Sequence, residues 1–227
     1  MNLDAVREKF EQSAFDYDGL IPRLIPHYHE QHDLIFQLIP FKTNANIKVL
    51  DLGAGTGILS AMILPAFPQA NVTAFDMAEN MLKVCQTNLS AFPERLTLQQ
   101  GNFAEDDFGS GYDLVVSGLA IHHLDDAGKQ QLFHKLFQSM NAGGILLIRD
   151  IVTGATPKLT DQYENLWRQY MKANGEDDAA WFKSYLKEDI PSSVEEQTKW
   201  LSEAGFADAA CHWRYLNFAI FGGVVPK

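Results

Sequence analysis

The sequence predicts a doubly wound α/β fold. It has a seven-stranded, mostly parallel sheet, an antiparallel strand pair at the C-terminal end and a helical arm in front. Three observations carry this. Short, continuous apolar runs alternate with helical patterns between residues 47 and 152, as expected of strands covered on both faces by crossover helices. The first run opens into a glycine-rich turn, "VLDLGAGTG" (49–57). The last two runs, 207–216 and 218–225, stand too close together for a helical crossover, so they pair antiparallel.

Taken in order, residues 2–13 read as a short charged helix. "DYDGLIPRLIP" then breaks regularity, because Pro22 and Pro26 each lack an N–H donor. A second helix starts at Pro26, a residue tolerated at the first helical position, and runs to Ile39 before Pro40. Strands rich in Val and Ile follow at 47–53, 71–77, 96–102, 112–118 and 143–152. Between the last two, residues 126–140 repeat Leu132, Phe133, Leu136, Phe137 and Met140 at helical spacing, and Asn141 to Gly144 stop that helix. Residues 156–190 read as two helices joined near Gly175. In "SSVEEQTKWLSEAGF", Ser192 and Ser193 each have a Glu three residues on, the capping-box pattern, and Gly205 is placed to end the helix in the left-handed conformation. With no internal repeat or low-complexity linker, the expectation is one domain over 1–227. It divides into an N-terminal helical lid (1–43) and a core (44–227) with a helical insertion at about 154–192.

Composition narrows the function. The chain has 227 residues, 46% of them hydrophobic, enough for one well-buried core. Its 18 basic and 29 acidic residues give a net charge of −11, which repels polyanions, and no basic stripe offsets it. Cys85 and Cys211 form no metal or disulfide pattern and read as buried thiols in a reducing compartment. The N-terminus is charged, unlike a signal peptide, and no apolar run approaches the roughly 20 residues of a membrane helix. The expectation is a soluble cytoplasmic protein with a small-molecule substrate, no nucleic-acid or membrane partner, and an architecture compatible with a homodimer.

The glycine loop sharpens this. Gly53, Gly55 and Gly57 let the backbone turn sharply and approach a ligand. A dinucleotide fingerprint requires Gly or Ala at position 58, which is Ile58, so an NAD site fits poorly. Asp51 beside the loop suits a ligand with a cationic portion better than a pyrophosphate. Asp76, 25 positions on, ends the second strand where an acid accepts hydrogen bonds from ribose hydroxyls. "GNF" (101–103) ends the third strand, where an adenine would lie. The ligand implied is an adenine nucleoside without pyrophosphate and with a positive charge, a description that S-adenosylmethionine fits.

"LDLGAGTG", "FDMAENML", "GNF" and "YDLVVSGLAIHHL" resemble the successive motifs of class I S-adenosylmethionine-dependent methyltransferases. Within them, "IPRLIPHY", "ANG", "SVEEQTKWLSEAGF" and "WRYLNFA" are similar in layout to the carboxy-S-adenosylmethionine synthase family, which converts the cofactor itself. The resemblance implies that Tyr28, Gly53, Ala54, Gly55, Asp76, Met77, Asn102 and Phe103 bind the cofactor, and Asp51 at the end of the first strand and Ser117 at the end of the fourth are expected beside it from their positions. Asn102 departs from the acid usual at its place, where an amide can still accept and donate at an adenine edge, and two further positions depart from the synthase pattern. Lys183 stands where that family has a carboxylate-clamping arginine, and Gly118 replaces an asparagine. The favoured reading is therefore a methyltransferase acting on a small-molecule acceptor. The alternatives are a carboxy-S-adenosylmethionine synthase-like enzyme and a non-catalytic cofactor-binding protein.

Methyl transfer from a sulfonium needs positioning and water exclusion, and for a phenol, amine or acid a base helps. His122 and His123 follow the fourth strand, at the sheet end where ligands bind, with His122 the preferred base. Arg149 and Asp150 close the fifth strand and read either as substrate contacts or as a mutual pair. Trp167, Tyr170, Trp181, Phe182 and Tyr185 form an aromatic set in the insertion, suited to roofing an acceptor pocket. In "PHYHEQH", His27, His29 and His32 do not share a helical face, so no metal triad is expected from that helix. Tyr28 reads as a cofactor contact on the lid, with His27 and His32 toward the acceptor and His27 a third catalytic candidate.

Overall fold

In the computed structural model, residues 6–8, 10–11, 14 and 16–227 are described. The helix expected over 2–13 lies partly outside them; within them, 6–8 and 10–11 are helical. Seven strands form one sheet: β1 (Lys48–Leu52), β2 (Asn71–Asp76), β3 (Leu96–Gln100), β4 (Tyr112–Gly118), β5 (Met140–Ile151), β6 (Ala207–Tyr215) and β7 (Phe218–Val224). Their order is β3-β2-β1-β4-β5-β7-β6. β1 through β5 run parallel, and β7 lies antiparallel to both β5 and β6. The order reverses between β1 and β4, which opens a crevice at the C-terminal strand ends, the usual ligand site of such sheets.

Helices α1 (Tyr17–Leu24), α2 (Tyr28–Leu38), α3 (Ile58–Ala66), α4 (Glu79–Asn88), α5 (Asp126–Ser139), α6 (Pro157–Ala173), α7 (Asp178–Glu188) and α8 (Val194–Ala204) complete the frame. Apolar residues pack on both sheet faces: Leu50, Leu52, Leu146 and Ile148 on one, Val49, Leu114, Val116 and Leu147 on the other. This is why the strands read as unbroken apolar runs. The Ser193–Glu196 capping box is formed, and Gly205 closes α8 at φ 113°. Cys85 is buried as expected, but Cys211 is exposed, because β6 is the sheet's edge strand and shows mostly exposed positions.

The segment "DYDGLIPRLIP" differs from expectation. Residues 17–24 are helical despite Pro22. Its apolar face explains this: Ile21 and Leu24 are buried against Trp167, Met171 and Tyr185 of α6 and α7. Tertiary packing outweighs the one lost backbone bond. The arm is tied to the insertion further by Trp167 Nε1, which donates to the Leu24 carbonyl at 2.7 Å, and by Tyr170, which donates to the Pro22 carbonyl at 2.9 Å.

Candidate functional site

The β1–α3 loop is built by its backbone. Gly53 and Ala54 N–H groups both donate to the Phe75 carbonyl of β2, at 2.8 and 3.0 Å. Gly53, Gly55 and Gly57 all have positive φ (68°, 54° and 84°). A Cβ on Gly53 would stand 2.4 Å from the Ala120 Cβ, so the strand-to-loop approach admits only glycine. Asp76 braces the same loop: Oδ2 accepts from Gly55 N–H and Oδ1 from Ala78 N–H, both at 2.8 Å. Burial raises the Asp76 pKa, with the Ala78 and Gly55 hydrogen bonds acting against it.

These elements wall a cavity at the crevice. Its lining includes Tyr28 and His32 of α2, Asp51, Gly53, Ala54 and Gly55 of the loop region, and Asp76 and Met77 after β2. Asn102 and Phe103 after β3, Gly118 and Ala120 after β4, and Arg149 of β5 complete it. Nine of the ten residues expected at the cofactor thus meet at one cavity. The tenth, Ser117, does not: it is buried and its hydroxyl donates to the Leu52 carbonyl at 2.8 Å, stapling β4 to β1. Asp51 lines the cavity, but its Oδ2 is taken by the Ser60 N–H (3.0 Å) and hydroxyl (2.6 Å) at the start of α3. Burial pushes its pKa up to about 7, against those two bonds. It is therefore foremost a brace for α3 rather than a free counter-charge.

A second cavity adjoins the first, sharing Phe10, Tyr17, Leu119 and His123. Its walls are apolar and aromatic, drawn from α1 (Leu20, Ile21, Leu24) and from Trp167, Met171, Trp181 and Tyr185 of the insertion. Its polar groups are His122, His123 and Asp189. His122 Nδ1 lies 2.5 Å from Asp150 Oδ1, and Nε2 lies 3.7 Å from Asp189. With Asp150 accepting, Nδ1 carries the proton and Nε2 keeps its lone pair. Burial disfavours the charged ring, yet Asp150 and Asp189 overcome this and hold the His122 pKa above its ordinary value. His123 goes the other way: burial and the neighbouring His122 lower its pKa. His122, His123 and Asp189 also offer one ligand atom each within 4.8 Å of one another, the one such trio among the described residues.

The structure corrects one sequence expectation here and decides two questions that the sequence leaves open. His27 is not brought to either cavity; it sits at φ 55° ahead of α2, and its ring packs on Tyr215 at 4.4 Å while Nδ1 meets Glu30. Arg149 and Asp150 do not pair with each other. Successive strand residues point to opposite faces, so Arg149 faces the first cavity and Asp150 meets His122 at the second. Lys183 is exposed on α7 and lines neither cavity. The residue that sequence reading underrated is Arg149. It is 4% exposed, and its Cζ stands 5.0 Å from the centroid of the Tyr28 ring.

Known proteins resemble the chain in sequence and fold. Residues 49–144 match the family model described as a methyltransferase domain. The carboxy-S-adenosyl-L-methionine synthase of Ruthia magnifica subsp. Calyptogena magnifica is 25% identical over 224 residues, covering 96% of this chain and 94% of that protein. That of Campylobacter lari is 24% identical over 208 residues, covering 90% and 88%. Among solved structures, a putative O-methyltransferase from Nostoc punctiforme aligns with a TM-score of 0.68 at 22% identity over 95% of this chain. PigF with SAH aligns at 0.68 and 17% identity over 96%. The chain spans only 60% and 61% of those two structures. Among the described residues, no helix is long and apolar enough to cross a membrane.

Proposed function

We propose that this chain is a class I S-adenosylmethionine-dependent methyltransferase, a reading supported by the methyltransferase-domain match over residues 49–144 and by the shared fold, and that it methylates an O–H or N–H group of a small, largely apolar acceptor. The observation that carries the reading is the His122–Asp150 contact at the wall of an aromatic cavity that adjoins the cofactor cavity. The first cavity fits the cofactor. Gly53 and Gly55 give close backbone approach, Asp76 stands at the ribose position, and Phe103 and Met77 offer an apolar slot for the base. Bound there, S-adenosylmethionine supplies an electrophilic methyl group with a neutral thioether as leaving group.

The chain's own residues do the rest. Trp167, Trp181, Tyr185 and Met171 exclude water and orient the acceptor. His122 Nε2 takes the acceptor proton, and Asp150 fixes the tautomer and stabilises the imidazolium that results. The test is formation of S-adenosylhomocysteine with a panel of phenols, amines and small acids. His122→Ala should lower turnover by about 10²- to 10⁴-fold, the usual worth of a positioned base, and EDTA should leave it unchanged. Undiminished turnover in His122→Ala overturns the base. Loss with EDTA and recovery with a divalent cation would instead make the His122, His123 and Asp189 trio a metal site.

A second reading, a carboxy-S-adenosylmethionine synthase-like enzyme, is favoured by likeness to such synthases over nearly the whole of both chains. The exposed Lys183 speaks against a clamp at the position that resemblance implies. Native mass spectrometry of freshly purified protein separates the readings by the mass of the retained cofactor.

A further inference from the structure

The cofactor cavity holds a buried guanidinium with which no described residue makes a hydrogen bond at Nε or Nη1. Arg149 ends β5 with its side chain buried, and its Nε and Nη1 have no hydrogen-bond partner among the described residues. No ion pair reaches it there either. Burying an unpaired guanidinium is costly, so such a group persists where a ligand completes it. The two acids lining the same cavity are committed elsewhere, Asp51 to Ser60 and Asp76 to Gly55 and Ala78. Asp150 next in sequence is held by His122.

Its surroundings shape a socket for an anion. The Tyr28 ring covers one face of the guanidinium. On the β4 side stands Gly118, where a Cβ would lie 3.5 and 3.6 Å from Nη2 and Nε; the absent side chain leaves room for a ligand atom. His32, which lines the same cavity, is held neutral: burial and the Arg149 charge lower its pKa to about 3, and its Nε2 is also unpartnered.

The sheet order places this socket along the cofactor. Read from β3 through β2, β1 and β4 to β5, the strand ends carry Asn102, Asp76, Gly53, Gly118 and Arg149. The base and ribose positions occupy the first two, so Arg149 lies beyond the nucleoside, at the sulfur and amino-acid end. We infer that Arg149 is a carboxylate receptor inside the cofactor cavity, the planar fork donating to both oxygens of a ligand carboxylate. The carboxylate comes either from the cofactor's amino-acid tail or from a carboxyl group on the sulfur substituent. The inference rests on adenosyl-cofactor binding and not on the base assigned to His122.

The test is calorimetric titration of wild type, Arg149→Met and Arg149→Lys with three probes. S-adenosylhomocysteine carries the amino-acid carboxylate, 5′-methylthioadenosine carries none, and the S-carboxymethyl derivative of S-adenosylhomocysteine carries two. If the tail is the ligand, Arg149→Met weakens S-adenosylhomocysteine about 10- to 100-fold and leaves methylthioadenosine unchanged. If the sulfur substituent is the ligand, only the S-carboxymethyl probe loses that factor. In either case Arg149→Lys falls between, keeping charge but not the fork. Equal loss for all three probes, or no loss for any, overturns the receptor. Should Arg149→Met fail to fold, the lysine variant decides by the same comparison. If no probe binds wild type, the cofactor assignment falls as well.

Discussion

Substituting Gly53 by alanine tests the loop geometry on which the cofactor site depends. Two costs are expected, and the structure separates them. Gly53 has φ 68°, a conformation that costs an L-residue roughly 1–2 kcal/mol. The new Cβ would also stand 2.4 Å from the Ala120 Cβ, and overpacking of this kind costs about 1–3 kcal/mol. Together these lower stability by roughly 2–5 kcal/mol, or about 4–20 °C in Tm for a chain of this size. Gly55 supplies the control: its φ is 54°, but a Cβ there meets nothing within 4 Å, so Gly55→Ala carries only the first cost. Ala120→Gly in the Gly53→Ala background removes the second cost and leaves the first. A double-mutant cycle by thermal denaturation should return a coupling of about 1–3 kcal/mol between positions 53 and 120. Calorimetry with S-adenosylhomocysteine should show binding lost in Gly53→Ala and partly restored in the double variant. If Gly53→Ala melts and binds like Gly55→Ala, the close approach of loop and β4 does not exist and the reasoning fails.

Saturating S-adenosylhomocysteine at about 100 times its Kd should add roughly 2.7 kcal/mol to stability, or about 5–11 °C in Tm; no shift at millimolar ligand would remove the cofactor site. Tyr28→Ala strips the ring from Arg149 and one wall of the cavity, and should weaken the same ligand by about 10-fold, as expected of a lost cation–π contact and wall. Asp150→Asn should move the acid limb of the rate profile to lower pH, since Asp150 helps hold the His122 pKa up, and should lower the plateau rate as well; an unmoved limb assigns that limb to another group. His32 has its pKa lowered to about 3 from 6.5, so the unfolded chain binds a proton that the folded chain refuses between those values. Its contribution to stability is therefore present above pH 6.5 and lost as pH falls toward 3, and comparing His32→Gln with wild type by denaturant melts across that range should show a shallower fall in the variant.

The parts of this site that were legible in the sequence are those made by backbone. Glycines at 53, 55 and 57 and the acid at Asp76 work through main-chain turns and N–H groups, and their spacing alone reports them. What was not legible depends on where side chains point. Ser117 looks like a strand-end ligand, yet its register opposite Leu52 turns its hydroxyl onto the Leu52 carbonyl. His27 looks like part of a histidine cluster, yet its left-handed backbone sends the ring outward to Tyr215. Pro22 looks like a breaker, yet the buried face of α1 holds the helix. Arg149 is a different case, because the signal was available. A mutual pair with Asp150 is excluded by the period of two along a strand, which leaves a basic residue at a strand end facing the ligand crevice.

That same period makes β5 the element that divides the chemistry. Its C-terminal end puts Arg149 into the first cavity and Asp150 against His122 at the second, so on the proposed function one dipeptide serves one ligand with a cation and, through a histidine, the other with a base. The two side chains leave the strand on opposite faces and form no ion pair, although the Asp150 charge still acts on Arg149. Deleting Ile148, between Leu147 and Arg149, would move the Asp150 carboxylate to the position now held by Arg149 in the cofactor cavity and carry the guanidinium to the buried core position of Ile148. Such a variant, if it folds, should lose S-adenosylhomocysteine binding and base catalysis together. An Arg149→Met variant should disturb only the first and an Asp150→Asn variant only the second. Independent loss of the two functions in the point variants is the pattern that two cavities served by one strand require.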